Sequence, residues 1–174
     1  MVELVNTVFK TRLQSNFIDI FNLANIIPNS QLFIGRPTQL KVTFLSNKVV
    51  CLLFGKGAIR IMGKVNLDKA YDILLSVLSY FSCQETPLPV LELQTMTYTA
   101  NFEQKINLVK FDKDFQVPLK THASFELFSA LQINAYRPIV VNLFSSGKMV
   151  ICGVKCEQQA SDIYTDILVY LCLM

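Results

Sequence analysis

The chain has 174 residues and a mass of 19.7 kDa, which suits one ordinary domain or two small fused halves. Hydrophobic residues make up 52% and charged residues 17%, so a substantial core can form and intrinsic disorder is excluded. The net charge of +3, with a pI near 8.6, is mildly basic; it admits a nucleic-acid partner without requiring one.

In chain order, LVNTVFKTRL alternates and predicts a strand. Ser15 then precedes NFIDIFNLANI, where Phe17, Ile20, Phe21 and Ala24 fall on one helical face, so a helix capped by Ser15 is expected. QLFIGRP leads into LKVTFLS, KVVCLLF and, after a glycine turn, AIRIMGKV: three strands in meander order. Asn66 is expected to cap LDKAYDILLSVLSYF, whose Ala70, Ile73, Leu74, Val77 and Leu78 recur at helical spacing. QETPLPV, with its two prolines, marks a boundary. Beyond it, LELQTMTYTANF predicts a strand, KINLVKFDKDF a short helix on Leu108, Phe111 and Phe115, and THASFELF a loop. QINAYRPIVVNLF and KMVICGVK predict further strands, and EQQASDIYTDILVYL a closing helix.

The second half repeats the first. Shifted by 90 residues without a gap, Leu53, Phe54, Gly57, Ile61 and Gly63 fall on Leu143, Phe144, Gly147, Ile151 and Gly153. The match continues through Ala70/Ala160, Asp72/Asp162, Ile73/Ile163, Leu78/Leu168 and Tyr80/Tyr170. We expect one domain, 1–174, made of repeat one (1–86) and repeat two (87–174). Each repeat is strand, short helix, several antiparallel strands, long helix. Copies built this way can join edge to edge into one curved antiparallel sheet with helices on its convex face, an α+β fold. The inner face is then open and calls for a ligand.

Catalytic and metal chemistry find no support. GKG at Gly55 to Gly57 is too short for a phosphate-cradling loop and has no Ser or Thr after its Lys. His122, the only histidine, has no Cys or Ser at a motif spacing and reads as an exposed loop residue. Asp112 and Asp114 flank Lys113 on what reads as a solvated face. The five cysteines are odd in number, without a C-x-x-C pair, and Cys152 and Cys156 lack the second ligand pair a zinc site needs. No enzyme, cofactor or metal site is therefore expected. MVELVNTVFK does not read as a signal peptide, and with the odd cysteine count a reducing compartment is expected. No apolar run nears the roughly 20 residues of a membrane span.

LFSSGKMVICGVK (Leu143 to Lys155), together with LANIIPNSQLF (Leu23 to Phe33) and ELFSALQINAYRP (Glu126 to Pro138), resembles the core domain of the TATA-box-binding protein family over nearly the whole chain. That resemblance implies a TBP-like saddle of two pseudo-symmetric repeats. It implies two wedge phenylalanines per repeat: Phe33 and Phe54 in the first, Phe128 and Phe144 in the second. Such rings enter base steps from the minor groove, a mechanism for which the family is itself the standard case; unstacking costs roughly a few kcal/mol per step. Asn6 and Val8 match the family's central Asn and Val of the first strand, whereas the second repeat has Thr95 and Thr97. Glu126 and Leu127 match the contact offered to transcription factor IIB, although Ser124 stands where an acidic residue is expected. The helix DKAYDILLSVLSYF lacks the family's basic stripe, which speaks against contacts to transcription factor IIA.

Alternation from Phe54 puts Lys56, Ala58, Arg60 and Met62 on one face; Asn142, Phe144, Ser146, Lys148, Val150 and Cys152 share the equivalent face. The glycines of these arms, with Ile59 and Ile61, are expected to point to the helices. Met62 and Cys152 replace the family's central threonines and donate poorly, so retained bending with altered or relaxed sequence preference is expected. Arg60 replaces a small apolar residue; it either enters a narrow groove or snorkels to solvent. Lys148 is expected near a phosphate. The function implied is a transcription initiation factor that binds and bends double-stranded promoter DNA and recruits a factor IIB-like protein and the RNA polymerase machinery. The alternative is an interaction module of the same fold with weak or no sequence-specific DNA binding. A monomer, or a weak homodimer through the concave face, is expected. The bare core domain suits a fast-evolving eukaryote or a large DNA virus, acting in the nucleus or in a cytoplasmic virus factory.

Overall fold

The computed structural model describes residues 1–44, 48–81, 87–123 and 129–173. The chain divides into two compact units: an N-terminal unit, Asn6–Gln94, and a C-terminal unit, Met1–Val5 with Thr95–Met174. The N-terminal unit is built from β1 (Val2–Arg12, whose first residues belong to the other unit), α1 (Ile20–Ile26), β2 (Ser30–Phe33), β3 (Gln39–Phe44), β4 (Val49–Phe54), β5 (Ala58–Gly63) and α2 (Leu67–Leu78). Its strands lie in the order β2-β3-β4-β5-β1, antiparallel throughout.

Strict alternation places this sheet. Val49, Cys51 and Leu53 of β4 and Ile59 and Ile61 of β5 are fully buried, and they pack with Ala70, Ile73, Leu74 and Val77 of α2 and Ile20 and Leu23 of α1. Each Val, Leu or Ile among them contributes about 2 kcal/mol by leaving water. Leu53→Ala, at 0% exposure, would cost about 3 kcal/mol. Asn66 caps α2 as expected, its side chain accepting from the Lys69 amide at 3.0 Å.

The first short helix departs from expectation. Asp19, not Ser15, is its N-cap, accepting from the Asn22 amide at 3.1 Å. Phe17 and Phe21 are exposed, and Ile20 and Leu23 carry the buried face. Residues 13–18 are drawn instead to the turn between β4 and β5: the Leu13 amide donates to Gly57 O at 2.9 Å and the Ile18 amide to Gly55 O at 3.1 Å. That turn is closed by the Gly57 amide donating to Phe54 O at 2.9 Å, with Gly57 left-handed at φ 79°.

The C-terminal unit contains β6 (Glu92–Asn101, from Thr95 on), α3 (Leu108–Leu119), β7 (Thr121–Ala123), β8 (Ala130–Ile133), β9 (Val140–Phe144), β10 (Lys148–Val154) and α4 (Glu157–Cys172), with strand order β6-β10-β9-β8-β7. Leu131, Ile133, Val141, Leu143, Met149 and Ile151 are buried against Phe111 of α3 and Ala160, Ile163 and Ile167 of α4. The turn before β10 repeats the strap of the other unit: the Phe102 amide donates to Gly147 O at 3.0 Å, the Ile106 amide to Ser145 O at 2.9 Å, and the Gly147 amide to Phe144 O at 2.9 Å. Leading strand segments pack away from their sequence neighbours: Val2 and Leu4 join the C-terminal core, and Leu91 and Leu93 the N-terminal one.

Other local expectations are corrected. Thr121–Ala123 is a strand, so His122, though exposed, is not in a loop. Asp112 is no free surface acid, because its Oδ1 accepts from the Thr121 hydroxyl and ties β7 to α3. Gly63 and Gly153 do not meet helices: a Cβ on Gly63 would strike Val49 Cγ2 at 2.9 Å, and one on Gly153 would lie 3.4 Å from Ile139 Cα.

Candidate nucleic-acid interface

Each unit has one strand face that its helices do not cover. In the N-terminal unit it carries Val8, Lys10 and Arg12 of β1, Ala58, Arg60 and Met62 of β5, and Leu52 and Phe54 of β4, because Thr7, Phe9, Leu13, Cys51, Leu53, Ile59 and Ile61, which alternate with them, are buried. Register brings the sequence-predicted residues together. Phe33 pairs with Gln39, and Gln39 with Phe54, so both aromatics lie in one row beside the strapped turn. At roughly 4.8 Å per strand, they stand about 10 Å apart. The face assignments survive the turn because its three-residue loop keeps Phe54 and Ala58 in phase.

Arg60 is exposed, and its guanidinium carbon is 5.7 Å from the centroid of the Phe54 ring, a cation–π contact. Val8 pairs with Met62, and half-buried Asn6 precedes Val8 by two residues in β1. Lys56 is exposed at the turn. Thr7, on the opposite face, is buried; its hydroxyl lies 2.6 Å from Gly63 O and 2.7 Å from Val65 O and accepts from the Val65 amide.

In the C-terminal unit the corresponding face carries Phe144, Lys148, Val150 and Cys152. Val150 pairs with Thr99 and Asn142, and Cys152 with Thr97 and Val140. Lys148 is exposed opposite Asn101. Thr95 is half-buried, its hydroxyl 3.4 Å from Met96 O. Phe128, Glu126 and Leu127 lie outside the described residues. Glu3 and Glu103 bring acid to the cleft of about 530 Å³ that Phe144, Lys148 and Val150 line.

Cationic partners on the N-terminal face went unnamed in the sequence reading. Lys10 and Arg12 continue the alternation that begins at Asn6 and Val8, so counting by twos along VNTVFKTR would have found them. Lys41 lies opposite Leu52, which lies opposite Arg60, and only strand register reveals it.

Among the described residues no cluster of His, Cys, Asp and Glu is arranged to hold a metal ion. Burial pushes the Cys51 thiol up to about 12, so that cysteine is a core residue and no nucleophile. Among the described residues, no helix is long and apolar enough to cross a membrane.

Comparison with known proteins bears on the family and fold of the chain. The family model for transcription factor TFIID (or TATA-binding protein, TBP) matches residues 90–172. The TATA-box-binding protein of Aeropyrum pernix is 29% identical over 89% of this chain and 74% of its own length. TATA-box-binding protein 3 of Methanosarcina acetivorans is 32% identical over 74% of this chain and 66% of its own. The solved structure of Methanococcus jannaschii TBP superposes with a TM-score of 0.77 at 25% identity, covering 99% of both chains. The chain belongs to the TATA-box-binding protein family. Its α+β, TBP-like fold class is the one expected from the sequence. It is a TBP-like transcription initiation factor of a DNA-binding family, and not an enzyme. The family model falls within the C-terminal half, while the paired straps at Gly57 and Gly147 show the same plan in the residues before it.

Proposed function

We propose that the chain binds promoter DNA through the minor groove, bends it with Phe33, Phe54, Phe128 and Phe144, and recruits a transcription factor IIB-like protein through Glu126 and Leu127. The observation that carries this reading is the row Phe33–Gln39–Phe54 beside a turn whose backbone is strapped in place, with the same strap behind Phe144. A wedge must not give way as it unstacks a base step, and a turn held by backbone hydrogen bonds supplies that stiffness. Val8 and Val150 offer apolar contact to the groove floor, and the Asn6 amide can donate to adenine N3 or thymine O2. Thr95 has a shorter reach and a single hydroxyl. Lys56 and Lys148, exposed beside the turns, suit phosphate oxygens.

Sequence preference is relaxed in this reading because Met62 and Cys152, the cross-strand partners of Val8 and Thr97, lack strong donors. The same two residues favour a second reading, an interaction module of this fold that engages proteins rather than bases. A gel shift against random duplexes at about 50 mM salt separates the two, since phosphate contacts are strong there. Binding, with bending by fluorescence transfer that drops in Phe54→Ala and Phe144→Ala, supports the first. Absence of any binding leaves the second.

A further inference from the structure

Lys10 of β1 lies directly opposite Arg60 of β5. On one face of an antiparallel pair such residues have Cβ atoms about 5 Å apart, and like charges there are destabilising. Arg12, on the same face two residues along, is diagonal to Arg60 at about 7 Å. These cations line a cleft of about 460 Å³ with Thr11 and Glu92. Glu92 lies 3.1 Å from Lys10 Nζ, and the Thr11 hydroxyl, donating to Val90 O at 2.7 Å, fixes the segment that carries it. Among the described residues, neither Arg12 nor Arg60 has a carboxylate at ion-pair distance.

We propose that this cleft is a phosphate-binding site of the N-terminal unit, taking a phosphate oxyanion between Lys10, Arg12 and Arg60, with Glu92 as the counterion it displaces. Three cations with one carboxylate around one cleft leave an electrostatic deficit that a bound oxyanion removes; to reach it the Arg60 guanidinium swings from the Phe54 ring toward Lys10 and Arg12. Guanidinium groups suit the task, because their planar donor fork matches two phosphate oxygens at once. Glu92 already occupies Lys10 as a phosphate oxygen would, and its exposure lets it swing away. The corresponding positions of the C-terminal unit, Thr99 opposite Val150 and Asn101 opposite Lys148, hold one cation and form no such cluster. A duplex as the source of the phosphate rests on the DNA-binding reading above; a free phosphate does not.

The test compares the wild type, Lys10→Gln/Arg60→Gln and Glu92→Gln on a fluorescent duplex between about 50 and 200 mM salt. Loss of one phosphate contact should flatten the log–log salt slope by about 0.9 and weaken binding at low salt about tenfold. Glu92→Gln should tighten binding two- to fivefold, roughly the reach of an exposed ion pair. A wild type that binds, with both variants within twofold and the slope unchanged, overturns the site while leaving the DNA reading intact. If the wild type does not bind duplex, the DNA reading fails and inorganic pyrophosphate becomes the probe. Millimolar pyrophosphate that shifts the Lys10 and Arg60 amide resonances in the wild type, but not in the double variant, upholds a site for free phosphate. With neither duplex nor pyrophosphate producing those shifts, the proposal is wrong.

Discussion

In the N-terminal unit the partner across from Arg60 is Lys10; at the corresponding pair of the C-terminal unit Val150 faces Thr99. Behind these pairs the two units are alike, with Ile59 and Ile61 buried in one and Met149 and Ile151 in the other. Both turns are closed and strapped by the same backbone bonds. Burial and backbone pairing thus hold the plan of each unit in common, while the face its own helices leave uncovered is free of that packing constraint and differs between the units. That freedom has given the N-terminal face its cations and left the C-terminal one with Lys148 among Thr99, Asn101, Glu3 and Glu103.

The largest expected effect tests the shared part. A Cβ on Gly147 would meet Gln104 O at 2.2 Å, and one on Gly57 would meet Asn16 Cα at 2.8 Å, both at positive φ. Gly147→Ala should cost about 3 kcal/mol and Gly57→Ala about 2, read from urea unfolding. Equal and negligible losses would mean that the straps do not hold the turns.

A middling effect probes a place where the units differ inside. Thr7→Val removes a buried hydroxyl serving Gly63 O, Val65 O and the Val65 amide, and should cost about 2 kcal/mol. Its counterpart by register, Met96, sits at a bulge opposite Val154; Met96→Leu, nearly volume-conserving, should cost less than about 1.5 kcal/mol in the same assay. A reversed ranking would show that the hydroxyl is dispensable.

The smallest effect concerns the faces. Ala58→Lys places in the N-terminal unit the charge that Lys148 holds in the other. The salt slope of duplex binding should steepen by about 0.9 if both turn-proximal positions lie near a phosphate. An unchanged slope would deny Lys148 that role by analogy.

Much of this was legible in the sequence, and the misses share a cause. Alternation fixed which residues of KVVCLLF and AIRIMGKV are buried, since a pleated strand has period two whatever surrounds it. Helical spacing misled at Ser15, Phe17 and Phe21, where the amides of Leu13 and Ile18 are committed to a turn some forty residues away. The short strands Ser30–Phe33 and Thr121–Ala123 exist through pairing with distant partners and carry little pattern of their own. Arg60 looked like a choice between groove and solvent; its perch over Phe54 and its opposition to Lys10 depend on register. Asn6, Val8 and the phenylalanine pair of the first repeat were singled out by the family resemblance alone, and strand register then sets Phe33 and Phe54 in one row.

The straps hold main-chain atoms, Gly55 O and Gly57 O in one unit and Ser145 O and Gly147 O in the other, and so are indifferent to what the intervening side chains are. A Cβ on Gly55 would find its nearest neighbour, Ile18 O, at 3.8 Å, which is ordinary contact. The loop tips are therefore interchangeable cartridges: GKG and SSG can be swapped between units, or replaced by other tips ending in glycine, while the aromatic at the root keeps its posture.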